Sequence, residues 1–361
     1  MKLKYYLINF FKLILTGSLF RISMMLSTFV LVFFLEPNSY GKWQLIKTMI
    51  GFLIILMEFG FFYSFNSLVN VQKYNFRSVL FSIFKFRFFI FLILLPFSII
   101  YFKISNYINS EILIVCVLFF LVIFDYDLAL DVIKKNNLLN LTRFLKFSIF
   151  VFLIFIFNNK LSINFILIFF ILSFAISIIF QFIIYFNYED KNKNHFNFSI
   201  KEIFKQNKNY FLIRFFSQLS IFSSLIITPF FLNFSEIAFL GILIALGELI
   251  LLPTYQIQRF LLPRLHKNNI EQFMYPLIIS SMIIVIGFLF FLLFGKDIIY
   301  LVLKEKYNIA LLFFISKFMF LYAFIKNINV QINLILHNSN KDLFLKNITV
   351  LVGILSIPFH L

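Results

Sequence analysis

Residues 162–186 read SINFILIFFILSFAISIIFQFIIYF, with no charged side chain from Ser162 to Phe186. A helix of that length runs roughly 37 Å, more than the ~30 Å hydrocarbon core of a bilayer. The run is continuous, whereas a transmembrane barrel strand alternates apolar and polar residues. A membrane-spanning helix is therefore the natural reading. Working outward from it, comparable spans fall near 13–35, 43–70, 81–102, 111–131, 143–158, 209–232, 237–262, 274–294, 307–335 and 343–360. The stretch 297–335 can also be divided differently around Lys304-Glu305-Lys306.

Composition agrees. The 361 residues are 62% hydrophobic and 13% charged, and mean hydropathy is +0.97. Soluble domains carry about 25% charged residues, so a chain this apolar takes lipid as its solvent. The abundance of Phe, which occurs 60 times, fits an AT-rich coding bias, because Phe, Leu and Ile meet nearly the same demand in lipid. The one cysteine, Cys116, lies within an apolar run and reads as packing. Lys2 and Lys4 precede an apolar stretch, but that stretch is too long for a signal peptide and has no small-residue cleavage site after it. It is expected to stay as the first helix.

Basic residues gather in alternate loops, as with Lys73 and Arg77, Lys134 and Lys135, and the lysines of 187–208. Arg87, Arg143 and Lys146 count as flanking the same loops. The intervening loops hold only Lys42, Lys103, Lys160, Lys296, Lys304 and Lys306. The positive-inside rule then places the N-terminus and segment 187–208 in the cytoplasm. The net charge of +17 follows from topology and contact with anionic lipid, and nucleic acid is not an expected partner.

Segment 187–208, NYEDKNKNHFNFSIKEIFKQNK, is the longest polar stretch. It separates a six-helix bundle, 1–186, from a second bundle, 209–361. A weak internal repeat supports the division. FLEPNSYGKWQLIKTMIGFLI (34–54) and FLNFSEIAFLGILIALGELIL (231–251) each place a short outer turn between two long helices. With an even number of helices per half, the repeat is parallel.

Several of these segments resemble a known family. FFLEPNSYGKWQLIKTMIGFLIILMEFGF resembles the first helical hairpin of bacterial polysaccharide flippases, through Pro37, Tyr40, Gly41, Glu58, Phe59 and Gly60. FLLPRLHK, with Pro263, resembles the end of that family's eighth helix. FGKDIIYLVLKEKYNIALLFF, with Gly295, Tyr307 and Ala310, resembles its ninth-to-tenth connection. The family comprises the O-antigen and capsule repeat-unit exporters of the multidrug/oligosaccharidyl-lipid/polysaccharide superfamily. The resemblance implies an all-α integral membrane protein of about eleven helices in two parallel-repeat bundles around a central cavity, the second bundle incomplete. It implies a transporter rather than an enzyme, located in the bacterial inner membrane and working without a cofactor. Its substrate would be undecaprenyl-pyrophosphate-linked oligosaccharide, moved by alternating access, with polymerase and chain-length proteins of the pathway as partners. Family members carry more helices than this chain, which stops at Leu361; a truncated, frameshifted or partial product is the expectation. An O-antigen polymerase or membrane glycosyltransferase would need a sizeable outer loop, and every expected outer loop is short. A drug or metabolite antiporter of the same superfamily would share the fold.

Polar residues recur at helical spacing on four spans: Gly17, Arg21 and Thr28; Lys47, Gly51 and Glu58; Arg214, Ser217, Gln218, Ser224 and Thr228; Gly241, Ala245, Glu248 and Arg259. Serine, threonine and glycine on such stripes commonly glue helices together. Intramembrane charge costs about 2.5–3.5 kcal/mol on insertion scales and usually faces an interior. Arg21 and Arg214, with Lys317, are therefore the candidates for holding pyrophosphate. Glu58 and Glu248 are the candidates for ion coupling. Asp125, Asp127 and Asp131 are expected to pair with Lys134 and Lys135, and Lys326, near a helix end, to snorkel. The histidines His195, His266, His337 and His360 have no ligand spacing, so no metal site is expected.

Overall fold

The structure, a computed structural model, describes residues 2–61, 65, 67–72, 74–127, 129–133, 135–158, 161–188, 207–208, 211–212, 215–216, 226–261, 271–303 and 306–338. Among these no strand forms. The helices are α1 (Lys2–Phe34), α2 (Pro37–Glu58), α3 (Phe76–Ile104), α4 (Asn109–Val122), α5 (Ala129–Val132), α6 (Asn136–Ile156), α7 (Ile163–Phe186), α8 (Phe234–Leu261), α9 (Glu271–Leu303) and α10 (Ile309–Asn338). A π-helical turn covers Ser67–Val71 and a 3-10 turn covers Thr228–Phe230.

The first N–H groups of a helix lack intrahelical acceptors, and lipid supplies none. Polar side chains supply them here. The Asn75 carboxamide accepts from the Ser78 N–H at 3.1 Å ahead of α3. Asn308 does the same for Leu311 at 3.0 Å ahead of α10. Before α8, Asn233 accepts from the Glu236 N–H while the Glu236 carboxylate accepts from the Asn233 N–H, a reciprocal capping box.

Polarity is arranged inside out relative to a soluble globule. Arg87, Gln181 and Ser173 are fully buried, while Leu113, Ile179, Leu293 and Leu301 are exposed. By length and composition α3, α6, α7, α8, α9 and α10 can each cross a membrane. The chain is a multi-pass membrane protein.

The described residues fall into two compact units. One holds 2–27 and 45–231, the other 28–44 and 232–338. In the first, α7 packs on α4 and α6, and α3 on α4. Its core is largely aromatic: Phe65 stacks on Phe76 and on Tyr126, and Phe76 packs on Tyr185. In the second, α8, α9 and α10 pack on one another.

Several expected spans change. The span 43–70 ends as a helix at Glu58, where Phe59 (φ 41°) and Gly60 (φ 76°) both enter the left-handed region. Phe59 is held there by its ring stack on Phe211, 4.3 Å between centroids. The span 111–131 ends at Val122, for reasons given below. The span 143–158 begins earlier, at Asn136. The span 274–294 runs on to Leu303. At Gly295 the Phe291 ring lies over the backbone of α9, where an added Cβ would sit 2.7 Å from it. The span 343–360, most of 209–232 before Ile226 and most of segment 187–208 lie outside the described residues.

Candidate functional site

In the first unit α4 stops at Val122, and the chain turns through Asp125, Tyr126 and Asp127 before α5. A helix end leaves carbonyls without intrahelical donors. Here the carbonyls of Phe120, Leu121 and Val122 accept from the N–H groups of Ile123, Phe124 and Asp125, and side chains from other helices hold the turn beyond them. Arg87 Nη1 on α3 donates to the Asp125 carbonyl at 3.0 Å, and the Tyr185 hydroxyl on α7 donates to the Tyr126 carbonyl at 2.7 Å.

The aspartate side chains are matched by cations on α6. Lys146 Nζ lies 2.7 Å from Asp125 Oδ2, and Gln181 Nε2 donates to Asp125 Oδ1 at 2.7 Å. Arg143 grips Asp127 through two nitrogens, Nε at 2.5 Å and Nη2 at 3.1 Å. Such planar two-point pairing is what guanidinium favours. Aromatic faces complete the cage: Lys146 sits 4.0 Å from the Phe174 ring centroid, Arg87 5.3 Å from that of Tyr126, and Arg143 5.6 Å from that of Phe20. Glu58, Asp125 and Asp127 all act on Arg87 electrostatically. Glu58 is only 4% exposed. Arg87, Arg143 and Lys146 thus share one cluster with Asp125, Asp127 and Glu58, and Asp131 also acts on Arg143.

This arrangement corrects two expectations. Asp125 pairs with Lys146 and Asp127 with Arg143, partners not foreseen from the sequence, because the early end of α4 turns both toward α6; Lys134 lies outside the described residues. Arg87, counted above as a loop-flanking charge, is the most deeply buried cation described, at 0% exposure. Sequence signalled the carboxylates but not their partners, which lie 16 and 21 positions away and, for Gln181, 56.

A second constellation lies in the other unit, at the tip of the first hairpin. Gly41 meets the first turn of α8 so closely that an added Cβ would lie 1.8 Å from the Phe234 carbonyl oxygen. Gly241 likewise leaves room for the Gln44 side chain, and Gln44 donates to the hydroxyl of the fully buried Tyr40. Lys306 Nζ donates to the carbonyls of Phe33 at 2.6 Å and Leu35 at 3.0 Å, capping the end of α1. The motif residues Tyr40 and Gly41 thus have packing roles.

The remaining candidates are dispersed. Arg21 is half-buried on α1 in the first unit and engages neighbouring groups. Lys317 is half-buried on α10 in the second, its ammonium 4.7 Å from the Phe313 ring. Neither unit by itself assembles the predicted phosphate set, and Arg214 lies outside the described residues. Glu248 on α8 pairs with Lys326 on α10 at 2.8 Å. Among the described residues no group of His, Cys, Asp and Glu could hold a metal ion.

The fold is that of known transporters. An inward-facing multidrug resistance MATE family transporter of the MOP superfamily superimposes with a TM-score of 0.69 over 94% of this chain and 84% of its own, at 14% identity. An outward-facing structure of such a transporter gives 0.56 over 95% and 85%, at 15% identity. A MATE in its straight conformation gives 0.57 over 95% and 86%, at 12% identity. No family model and no curated protein sequence matches the chain.

Proposed function

We propose that this chain is a secondary transporter that carries undecaprenyl-pyrophosphate-linked oligosaccharide across the bacterial inner membrane by alternating access. The observation that carries the transport reading is the extent of the fold likeness, 94% of the chain at a TM-score of 0.69. Structures with this fold have been caught both inward-facing and outward-facing, and alternating access requires both states. The choice of substrate rests on the polysaccharide-flippase motifs, of which Tyr40 and Gly41 lie together at the first hairpin tip. Arg21, Arg214 and Lys317 would offer the pyrophosphate its cations, while Glu58 and Glu248 would exchange the coupling ion. The basic loops favour a cytoplasmic N-terminus, on the side where the loaded carrier is made. Polymerase and chain-length proteins of the same pathway are the expected partners.

The test is complementation. A bacterium lacking its own repeat-unit flippase, supplied with this protein, should regain surface polysaccharide. Restored resistance to cationic drugs without surface polysaccharide would overturn the substrate and favour the antiporter.

A further inference from the structure

The two hairpins of the internal repeat meet each other at matching positions. Aligning 34–54 with 231–251 pairs Pro37 with Phe234 and Gln44 with Gly241. In the structure the Gln44 side chain lies on Gly241, where an added Cβ would sit 2.6 Å from it, and Gly41 lies against the Phe234 carbonyl. Two positions related by a rotation can touch only beside the rotation axis. The first two turns of α2 and α8 therefore meet beside the repeat axis, which a parallel repeat sets along the membrane normal. All four contacting residues belong to the second unit, as does the whole tip from Thr28 to Gln44. The basic loops make this the outer end.

Most of the tip is held by close packing, and Leu31, Leu35, Tyr40 and Trp43 are buried. One contact is of a different kind. Lys306, exposed in the turn between α9 and α10, donates to the carbonyls of Phe33 and Leu35 at 2.6 and 3.0 Å. Those carbonyls stand where a helix has no donors of its own and where its dipole is negative, a position that suits an ammonium. Because the acceptors are neutral and Lys306 is exposed, release hands the ammonium to water and strands no buried charge. The buried Lys146–Asp125 pair lacks that freedom.

We propose that Lys306 is a latch that holds the outer end closed, and that its release lets the α1–α2 tip part from α8 and from the α9–α10 turn. The Lys42 ammonium, 5.5 Å from the Phe234 ring, adds a weaker contact to the closed tip. The inference deepens the alternating-access reading and rests on it, since such a transporter needs this end shut in one state and open in the other. It does not depend on which substrate is carried.

The test reads a distance and needs no substrate. On a Cys116→Ala background, spin labels on Asn38→Cys at the tip and Ala310→Cys in the first turn of α10, both exposed positions, would be measured by pulsed electron resonance. The sample is the full chain in lipid nanodiscs. The wild type should show a dominant short distance. Lys306→Met should raise the ratio of long to short distances roughly tenfold, the scale of one hydrogen bond to a charged group. Lys306→Glu, set against the negative end of α1, should raise it further, and Lys306→Arg should keep the wild-type distribution. Two distances whose proportions none of these variants shifts would overturn the latch and leave alternating access standing. A single distance in every monodisperse sample would overturn the latch and alternating access together. A lower melting temperature for Lys306→Met with unchanged distances would make Lys306 a helix cap only and likewise overturn the latch.

Discussion

Lys146 and Asp125 meet at 2.7 Å with side chains only 10% and 7% exposed, so each is the other's replacement for water. Removing one partner strands a buried charge, which typically costs about 3–5 kcal/mol; removing both costs far less. Lys146→Met and Asp125→Asn should each lower the melting temperature of the detergent-solubilised protein by several degrees, and the double variant should melt above either single. A double variant whose loss equals the sum of the singles would mean that the two residues do not stabilise each other.

Gly41 gives a sharper steric prediction. Its missing Cβ would lie 1.8 Å from a backbone oxygen of α8, and backbone cannot rotate away as a side chain can. Gly41→Ala should abolish a monodisperse elution peak, whereas Gly287→Ala, whose added Cβ would meet only the Phe320 ring edge at 3.7 Å, should elute as wild type. Equal behaviour of the two variants would contradict the described approach of α2 to α8.

A single chain discloses some of these helices and hides the ends of others. The span 162–186 was legible because its run is long and unbroken and one Ser162 side chain caps its start, accepting from the Phe165 N–H at 3.5 Å. The break after Val122 was not. FLVIFDYDLALDV keeps an apolar rhythm through its aspartates, and the donors from α3, α6 and α7 that hold Asp125 in the turn are distant in sequence. Gly60 did mark the end of α2, but the apolar residues beyond it disguised the stop. The Asn233–Glu236 capping box was readable from its spacing. Of the site candidates, the charges themselves could be read; their partners could not, since Lys326 meets Glu248 across 78 positions.

The expected topology can be tested on a Cys116→Ala background. Cysteine placed at Asn38 should react with an impermeant thiol reagent in intact cells, and cysteine at Asn194 only after permeabilisation. The reverse pattern would invert the orientation inferred from the basic loops.

Ion coupling at Glu58 and Glu248 predicts a loss of gradient dependence rather than of binding. Each carboxylate lies close to a cation, Arg87 and Lys326 respectively, and an ion entering from one side would compete for the carboxylate with that cation. Glu58→Gln and Glu248→Gln remove the exchangeable charge while keeping shape. In proteoliposomes the variants should transport at a low rate that an imposed proton or sodium gradient no longer raises. If both variants still accelerate several-fold with the gradient, the glutamates are structural counter-ions and coupling resides elsewhere.

Arg21 offers the most direct test of the substrate. It is half-buried on α1, near enough to the expected cytoplasmic end to meet a carrier loaded there, and its guanidinium stays charged at any physiological pH. Two roles are open to it, holding phosphate oxygens or holding neighbouring helices, and substitution separates them. Arg21→Lys keeps the charge but loses the planar fork, while Arg21→Ala loses both. A phosphate-binding role therefore predicts graded loss of export at unchanged abundance, on the order of tenfold for lysine and a hundredfold for alanine, since one charge-assisted contact is worth about 1.5–3 kcal/mol. A packing role predicts instead that abundance and melting temperature fall together with export. Normal export by Arg21→Ala at normal abundance would remove Arg21 from the phosphate site.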